Sequence, residues 1–206
     1  MKITIVSGSH RPESEAQSLK VARFVERTLR ERSLCDETWL FSLSGNPLPL
    51  WDQGIWDGDP AWQERLAPIS AGLASSDGFV VVSPEWHGMV PAGLKNFFLL
   101  WTRGELAHKP ALIVTVSSGM GGAYPVAELR MSSYKNNRLC YIPEHVIVRD
   151  VERVLNDDPA ANDPEADAYL RGRIAWALGI LREYALALRG VRASGAVETT
   201  EYRFGM

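Results

Sequence analysis

A three-layer α/β/α sandwich on a parallel sheet is predicted by three observations. Short apolar runs alternate with helical patterns along the chain. Two of those runs, residues 78–83 and 111–116, are apolar without alternation, as in strands buried on both faces. The 206 residues, 46% of them hydrophobic, are enough for one sizeable core rather than two.

The elements follow in order. Residues 3–6 predict a first strand, and a helix follows with Leu19, Ala22, Val25 and Leu29 on one face. Residues 35–43, containing Thr38, Trp39, Leu40 and Phe41, read as a second strand. The connection 44–60 is rich in Gly, Pro, Asn and Asp, and Asp59-Pro60 supplies an N-cap and a first-turn proline for the next helix. Residues 78–83 are the third strand. Pro91 opens a helix with Leu94, Phe97, Phe98 and Trp101 at i, i+3, i+4 and i+7. Residues 111–116 are the fourth strand, followed by a glycine-rich turn and helix through about Lys135. A short strand near Tyr141 or residues 146–148 closes the sheet. Asp163-Pro164 caps a last helix whose buried stripe is Leu170, Ile174, Ala177, Leu178, Leu181, Ala185 and Leu188.

Right-handed crossovers turn this order into an α/β/α sandwich. Five strands fit the flavodoxin-like order 2-1-3-4-5 better than the six-stranded dinucleotide fold. The expected organisation is a single domain, 1–190, with a C-terminal tail, 191–206. Ligands of such sheets bind beyond the carboxyl ends of the strands, where the order reverses. The loops after the first, third and fourth strands are therefore the places to look.

Charge narrows the partners. With 22 basic and 25 acidic residues the net charge is −3, which offers no footprint for nucleic acid and no polybasic membrane segment. No apolar run approaches the ~20 residues of a membrane span, and the first residues show no signal-peptide pattern. Cys35 and Cys140 form neither a CxxC nor a zinc spacing. The expectation is a cytoplasmic protein with free thiols, no metal, no nucleic-acid partner and no membrane partner.

The first loop, residues 7–18, opens a helix, where unpaired N–H groups and the dipole attract anions. Ser9 and Ser18 offer hydroxyls and Arg11 a fork for phosphate. Neither GxGxxG nor GxxxxGK[ST] is present. Ser14-x-x-Gln17 also matches a capping box, which would stabilise the helix with no ligand. The second loop, residues 83–91, holds Pro84, Glu85, Trp86, His87 and Gly88. Trp86 can wall a ring system or simply pack, and His87 can act as acid or base or stand in solvent. The third, residues 117–124, has Gly119, Gly121 and Gly122 beside Ser117, which suggests backbone N–H groups aimed at a ligand, or a flexible turn. All three fall at one end of the predicted sheet.

The residues of these loops resemble the NAD(P)H-dependent FMN reductases, which include quinone, azo-dye and chromate-reducing flavoenzymes. Gly8-Ser9-x-Arg11 followed by Gln17-Ser18-x-Lys20-Val21-Ala22 is similar to that family's GSxR loop. Pro84-Glu85-Trp86-His87-Gly88-x-x-Pro91-x-x-Leu94-Lys95-Asn96 is similar to its PEYNGxxPxxLKN signature, with Trp86 for the usual tyrosine and His87 for the usual asparagine. Ser117-Ser118-Gly119-x-Gly121-Gly122 is the third match, with Leu129-Arg130 on the following helix. The resemblance covers residues 3–148.

The resemblance implies FMN with its phosphate on Ser9, Arg11, Gln17 and Ser18, Ser14 being the alternative to Ser18. The ring would lie along Pro84, Glu85, Trp86, His87 and Gly88. Its pyrimidine edge would meet the loop of Ser117, Gly119 and Gly121. NADPH or NADH would give hydride to FMN N5, and a quinone, azo compound, metal oxyanion or free flavin would then take two electrons. No side chain is assigned as catalytic, because the flavin carries the chemistry. The alternative is a flavodoxin-type electron carrier that binds FMN without NAD(P)H. Trp51, Trp56 and Trp62, in and just beyond the 44–60 connection, suggest a lid or an interface, and the family implies a homodimer or homotetramer.

Overall fold

The computed structural model describes residues 1–198. Five strands form one parallel sheet: β1 (Lys2–Ser7), β2 (Glu37–Ser42), β3 (Gly78–Pro84), β4 (Pro110–Val116) and β5 (Cys140–Val148), in the spatial order β2-β1-β3-β4-β5. Every residue of β3 and β4 is buried, as their unbroken apolar runs require.

Side-chain alternation divides the interior into two cores. Ile3, Ile5, Val80, Val82, Leu112 and Val114 face one way, onto α1 (Gln17–Glu31) and the long C-terminal α6 (Pro164–Ala193). Val6, Phe79, Val81, Ala111 and Ile113 face the other, onto α3 (Pro60–Ala74), α4 (Ala92–Leu100) and α5 (Ala123–Met131). A one-turn helix, α2 (Gly54–Asp57), lies inside the 44–60 connection, where sequence reading expected only loop. Two 3₁₀ turns, Val151–Arg153 and Pro159–Ala161, link β5 to α6.

The caps at Asp59 and Asp163 form as expected, each carboxylate accepting a first-turn N–H. Lys109, 5% exposed, donates to the carbonyls of Leu73, Ala74 and Glu105 and so satisfies the end of α3.

Four expectations are revised in detail. The capping box at Ser14 does not form: Ser14 is exposed, the N-cap of α1 is Ala16, and no side chain caps it. Helix α5 stops at Met131 rather than near Lys135, because Ser132 turns extended and Ser133 adopts φ 65°. The last strand is a single nine-residue element, with a register shift between Ala111 and Ile113. The expected tail, 191–206, begins inside α6, and residues 199–206 lie outside the described residues.

Candidate functional site

Three backbone hydrogen bonds form a staircase along the carboxyl edge of the sheet. Gly8 N–H reaches Val82 O at 2.8 Å, Glu85 N–H reaches Val116 O at 2.9 Å, and Ser117 N–H reaches Val148 O at 2.9 Å. Each loop is thus anchored to the strand beyond it. The loops singled out in the sequence are neighbours in space.

In the first loop, Gly8 permits a close crossing: a Cβ there would lie 2.7 Å from Leu94 Cδ2 on α4. Ser9 is 2% exposed, and its hydroxyl accepts Arg11 N–H at 3.2 Å. The Arg11 guanidinium pairs with Glu15 at 2.9 Å, both side chains being exposed. At the start of α1, Ser18 Oγ and Gln17 Oε1 are buried without a hydrogen-bond partner. Ser18 Oγ, a hydroxyl able to donate, beside the unpaired N–H groups of a 15-residue helix is suited to an anion, whereas Gln17 Oε1 is an acceptor. Lys20 turns away from the loop: its Nζ donates to Val151 O, Val154 O and Asn156 Oδ1. His10 stands edge-on to Trp86, centroids 6.5 Å apart, over Gly93, and burial lowers its pKa.

The second loop is a hairpin turn. Trp86 and Met89 exchange backbone hydrogen bonds at 3.1 and 2.9 Å around His87 and Gly88, whose φ values are 51° and 72°. Two left-handed central residues are what a type I′ turn needs. Histidine shares with asparagine an enhanced tolerance of that conformation, so His87 can take asparagine's backbone role. Pro84 is buried, Trp86 is half-buried and His87 is exposed. Glu85 does not reach outward: its Oε2 accepts Gly122 N–H at 2.6 Å.

In the third loop, Gly121 and Gly122 have steric reasons to be glycine. A Cβ on Gly121 would lie 2.7 Å from Glu85 Oε1, and one on Gly122, at φ 103°, 2.4 Å from Ile147 Cγ2. Gly119 is different, since a Cβ there would meet nothing within 4 Å. Ser117 Oγ accepts Gly119 N–H at 3.2 Å.

Sequence reading missed several residues that shape this edge. Arg149 Nε donates to Met120 O and Gly121 O, and Thr115 Oγ1 donates to Gly122 O. Asn96 holds the 44–60 connection, accepting Trp51 N–H and donating to Pro49 O, both at 2.8 Å. Only Asn96 lay inside a motif. Trp51 and Trp62 pack partly against the core, Trp51 stacks edge-on with Trp56, and Trp56 is 67% exposed. Arg130 braces β5 through Ile142 O and Pro143 O instead of joining the loops.

The edge therefore combines a helix N-terminus with an orphaned hydroxyl, a tight turn and a donor-rich loop. That arrangement suits a flat molecule with an anionic tail. Among the described residues no three His, Cys, Asp or Glu side chains gather as a metal site.

A family model described as NADPH-dependent FMN reductase matches residues 1–152. A quinone reductase of Escherichia coli (strain K12) is 42% identical over 82 residues, which are 37% of this chain and 42% of that protein, so the match spans less than half of that relative. An NADPH azoreductase of Bacillus sp. (strain OY1-2) is 24% identical over 177 residues, 82% of this chain and 93% of the azoreductase. Among solved structures, FerB, a flavoenzyme NAD(P)H:(acceptor) oxidoreductase from Paracoccus denitrificans, superposes with a TM-score of 0.67 at 19% identity, covering 90% of this chain and 97% of that one. This last likeness is one of fold, the flavodoxin-like sandwich.

Proposed function

The chain belongs to the NADPH-dependent FMN reductase family, and from that premise we propose that it is an NAD(P)H-dependent flavin oxidoreductase acting on a small acceptor. The observation that carries this reading is the orphaned buried hydroxyl of Ser18 at the N-terminus of α1, beside the unpaired N–H groups of the first turn. That hydroxyl can donate to the phosphate of FMN, and the exposed Ser14 fits it less well.

The chain's residues divide the work of holding FMN. Ser9, Arg11, Gln17 and Ser18 take the phosphate, with the α1 dipole favouring its charge. The turn of Pro84, Glu85, Trp86, His87 and Gly88 sets a flat boundary for the ring, Glu85 acting through Gly122 rather than by touching it. The loop of Ser117, Gly119 and Gly121 offers backbone N–H groups to the ring's polar edge. When bound, FMN supplies two-electron chemistry, hydride from NADPH or NADH to N5 and then transfer to a quinone, azo compound, metal oxyanion or free flavin. No side chain is needed as acid or base for the hydride step.

The quinone reductase and azoreductase relatives support a quinone or azo acceptor. A homodimer or homotetramer fits the exposed Trp56, Leu99 and Met131. The proposed unit is a single FMN-binding domain, 1–190, with the tail 191–206, working in the cytoplasm. No helix among the described residues is long and apolar enough to cross a membrane.

The test is the visible spectrum of the purified protein, reconstituted with FMN, before and after anaerobic NADPH. Flavin bands that bleach support the oxidoreductase. Bound flavin that does not bleach with NADPH or NADH points to an electron carrier, and failure to bind FMN overturns the reading.

A further inference from the structure

The loop between β4 and α5 has an uneven distribution of satisfied backbone groups, and one side chain outside every motif contributes to it. Ser117 O accepts Val151 N–H at 3.2 Å, and Gly119 O accepts Asp150 N–H at 3.2 Å. Met120 O accepts Arg149 Nε at 2.8 Å, with Gly121 O at 3.0 Å from the same atom. All three anchors come from residues 149–151, just past β5.

A trans peptide points its C=O and the following N–H in opposite directions, and no peptide here is cis. Holding the carbonyls of Ser117, Gly119 and Met120 on the 149–151 side therefore turns the N–H groups of Ser118, Met120 and Gly121 away from it. Those three N–H groups have no partner among the described residues, whereas Ser117, Gly119 and Gly122 N–H are all engaged. The Nη groups of Arg149, an exposed residue, also lack a partner among the described residues. Free backbone donors with a fixed cation behind them, across the loop, attract negative charge.

We infer that Arg149 is a positioning residue for the flavin site: by holding Met120 O and Gly121 O it presents the free N–H groups to the ring's polar edge, and its charge favours the reduced, more negative form of the bound cofactor. This rests on the FMN reading above. The ligand feature recognised is a carbonyl or anionic edge of a flat ring. Val151 and Asp150 act through their backbones and are not open to side-chain tests, but Arg149 is.

The experiment uses the full chain reconstituted with FMN. The dissociation constant for oxidised FMN and the two-electron midpoint potential are measured for wild type, R149A, R149Q and R149K, with R182A on the exposed face of α6 as a control. In R149A and R149Q, binding of reduced FMN should weaken about tenfold more than binding of oxidised FMN, a drop of ~30 mV for a two-electron couple. R149K, which keeps the charge, should recover part of that drop, and R182A should match wild type. Equal weakening of both oxidation states, with an unchanged potential, would overturn the proposal and leave Arg149 as a brace. If R149A loses FMN altogether, R149Q and R149K decide by the same criterion. Wild-type protein that binds no FMN would overturn both this inference and the reading beneath it, a result distinguishable from failure in the variants alone.

Discussion

Glu85 and Gly122, separated by 37 positions, meet at 2.6 Å, the carboxylate Oε2 accepting the glycine N–H. Gly122 is the N-cap residue of α5 and has no side chain to cap the helix itself. Glu85 acts as a remote cap and fastens the second loop to the third. Its charge also complements the helix dipole. Replacing it with alanine leaves a half-buried donor unpaired and should cost ~1–3 kcal/mol of stability. Glu85→Gln keeps an acceptor and should fall between alanine and wild type. Urea unfolding would read this; an alanine variant as stable as wild type would refute the clamp.

Arg11 must exchange partners if it is to hold a phosphate. Its guanidinium pairs with Glu15, and both side chains are more than half exposed, so that bond contributes little. Arg11→Ala should lose ~1.5–3 kcal/mol of FMN affinity, roughly ten- to a hundredfold. Glu15→Gln should have the opposite sign, tightening FMN severalfold by freeing the arginine and removing a negative charge. Fluorescence titration of the two variants checks both signs, and an unchanged affinity in Arg11→Ala would remove Arg11 from the site.

His87 and Gly88 carry the turn through backbone conformation. With φ at 51° and 72°, each occupies a region that β-branched residues avoid. His87→Asn should leave both stability and FMN binding near wild type. His87→Ile should lose ~1–2 kcal/mol from the left-handed strain. A thermal melt in which the asparagine variant suffers as much as the isoleucine one would show that the imidazole, not the backbone, matters here.

The parts of this molecule that were legible in the sequence share a physical cause. β3 and β4 are buried on both faces, so their residues have no reason to be polar and stand out as runs. The edge strand β5 is covered less evenly, and Pro143 and Glu144 interrupt its pattern, so only its ends were recognisable. Helix α5 ends on two serines rather than a glycine, which hid its stop. At the candidate site, the sequence placed the loops together at the sheet's edge, but not the direction of each side chain. Glu85 lies in the most specific motif yet points at Gly122. Arg149 belongs to no motif, and only the hydrogen bonds to Met120 O and Gly121 O reveal its place. Strand burial is written in composition, whereas side-chain direction depends on partners far away in the chain.

The opposite edge of the sheet provides a test of long-range electrostatics apart from the site. Asp77 accepts Arg189 Nε at 2.9 Å and Arg189 Nη2 at 2.7 Å, with Lys2 N–H at 3.0 Å and Arg192 Nη2 at 3.3 Å. These bonds dock the end of α6 against the start of β1 and β3. The hydrogen bond from Arg189 is the foremost reason that the Asp77 pKa falls from 3.8 to about 2. A carboxylate whose pKa is lower folded than unfolded stabilises the fold fully above the unfolded value. That contribution is lost progressively as pH falls from about 4 through about 2. Because the arginines are partly in solvent, screening reduces its size, and Asp77→Asn should cost only ~1 kcal/mol at pH 7. The difference between variant and wild type should shrink below about pH 4 and vanish only below about pH 2. Arg189→Ala should shift the acid limb of the wild-type stability curve toward higher pH, because Asp77 then protonates earlier. A gap between Asp77→Asn and wild type that stays constant through the acid range would mean that packing, and not the ion pair, holds α6 in place.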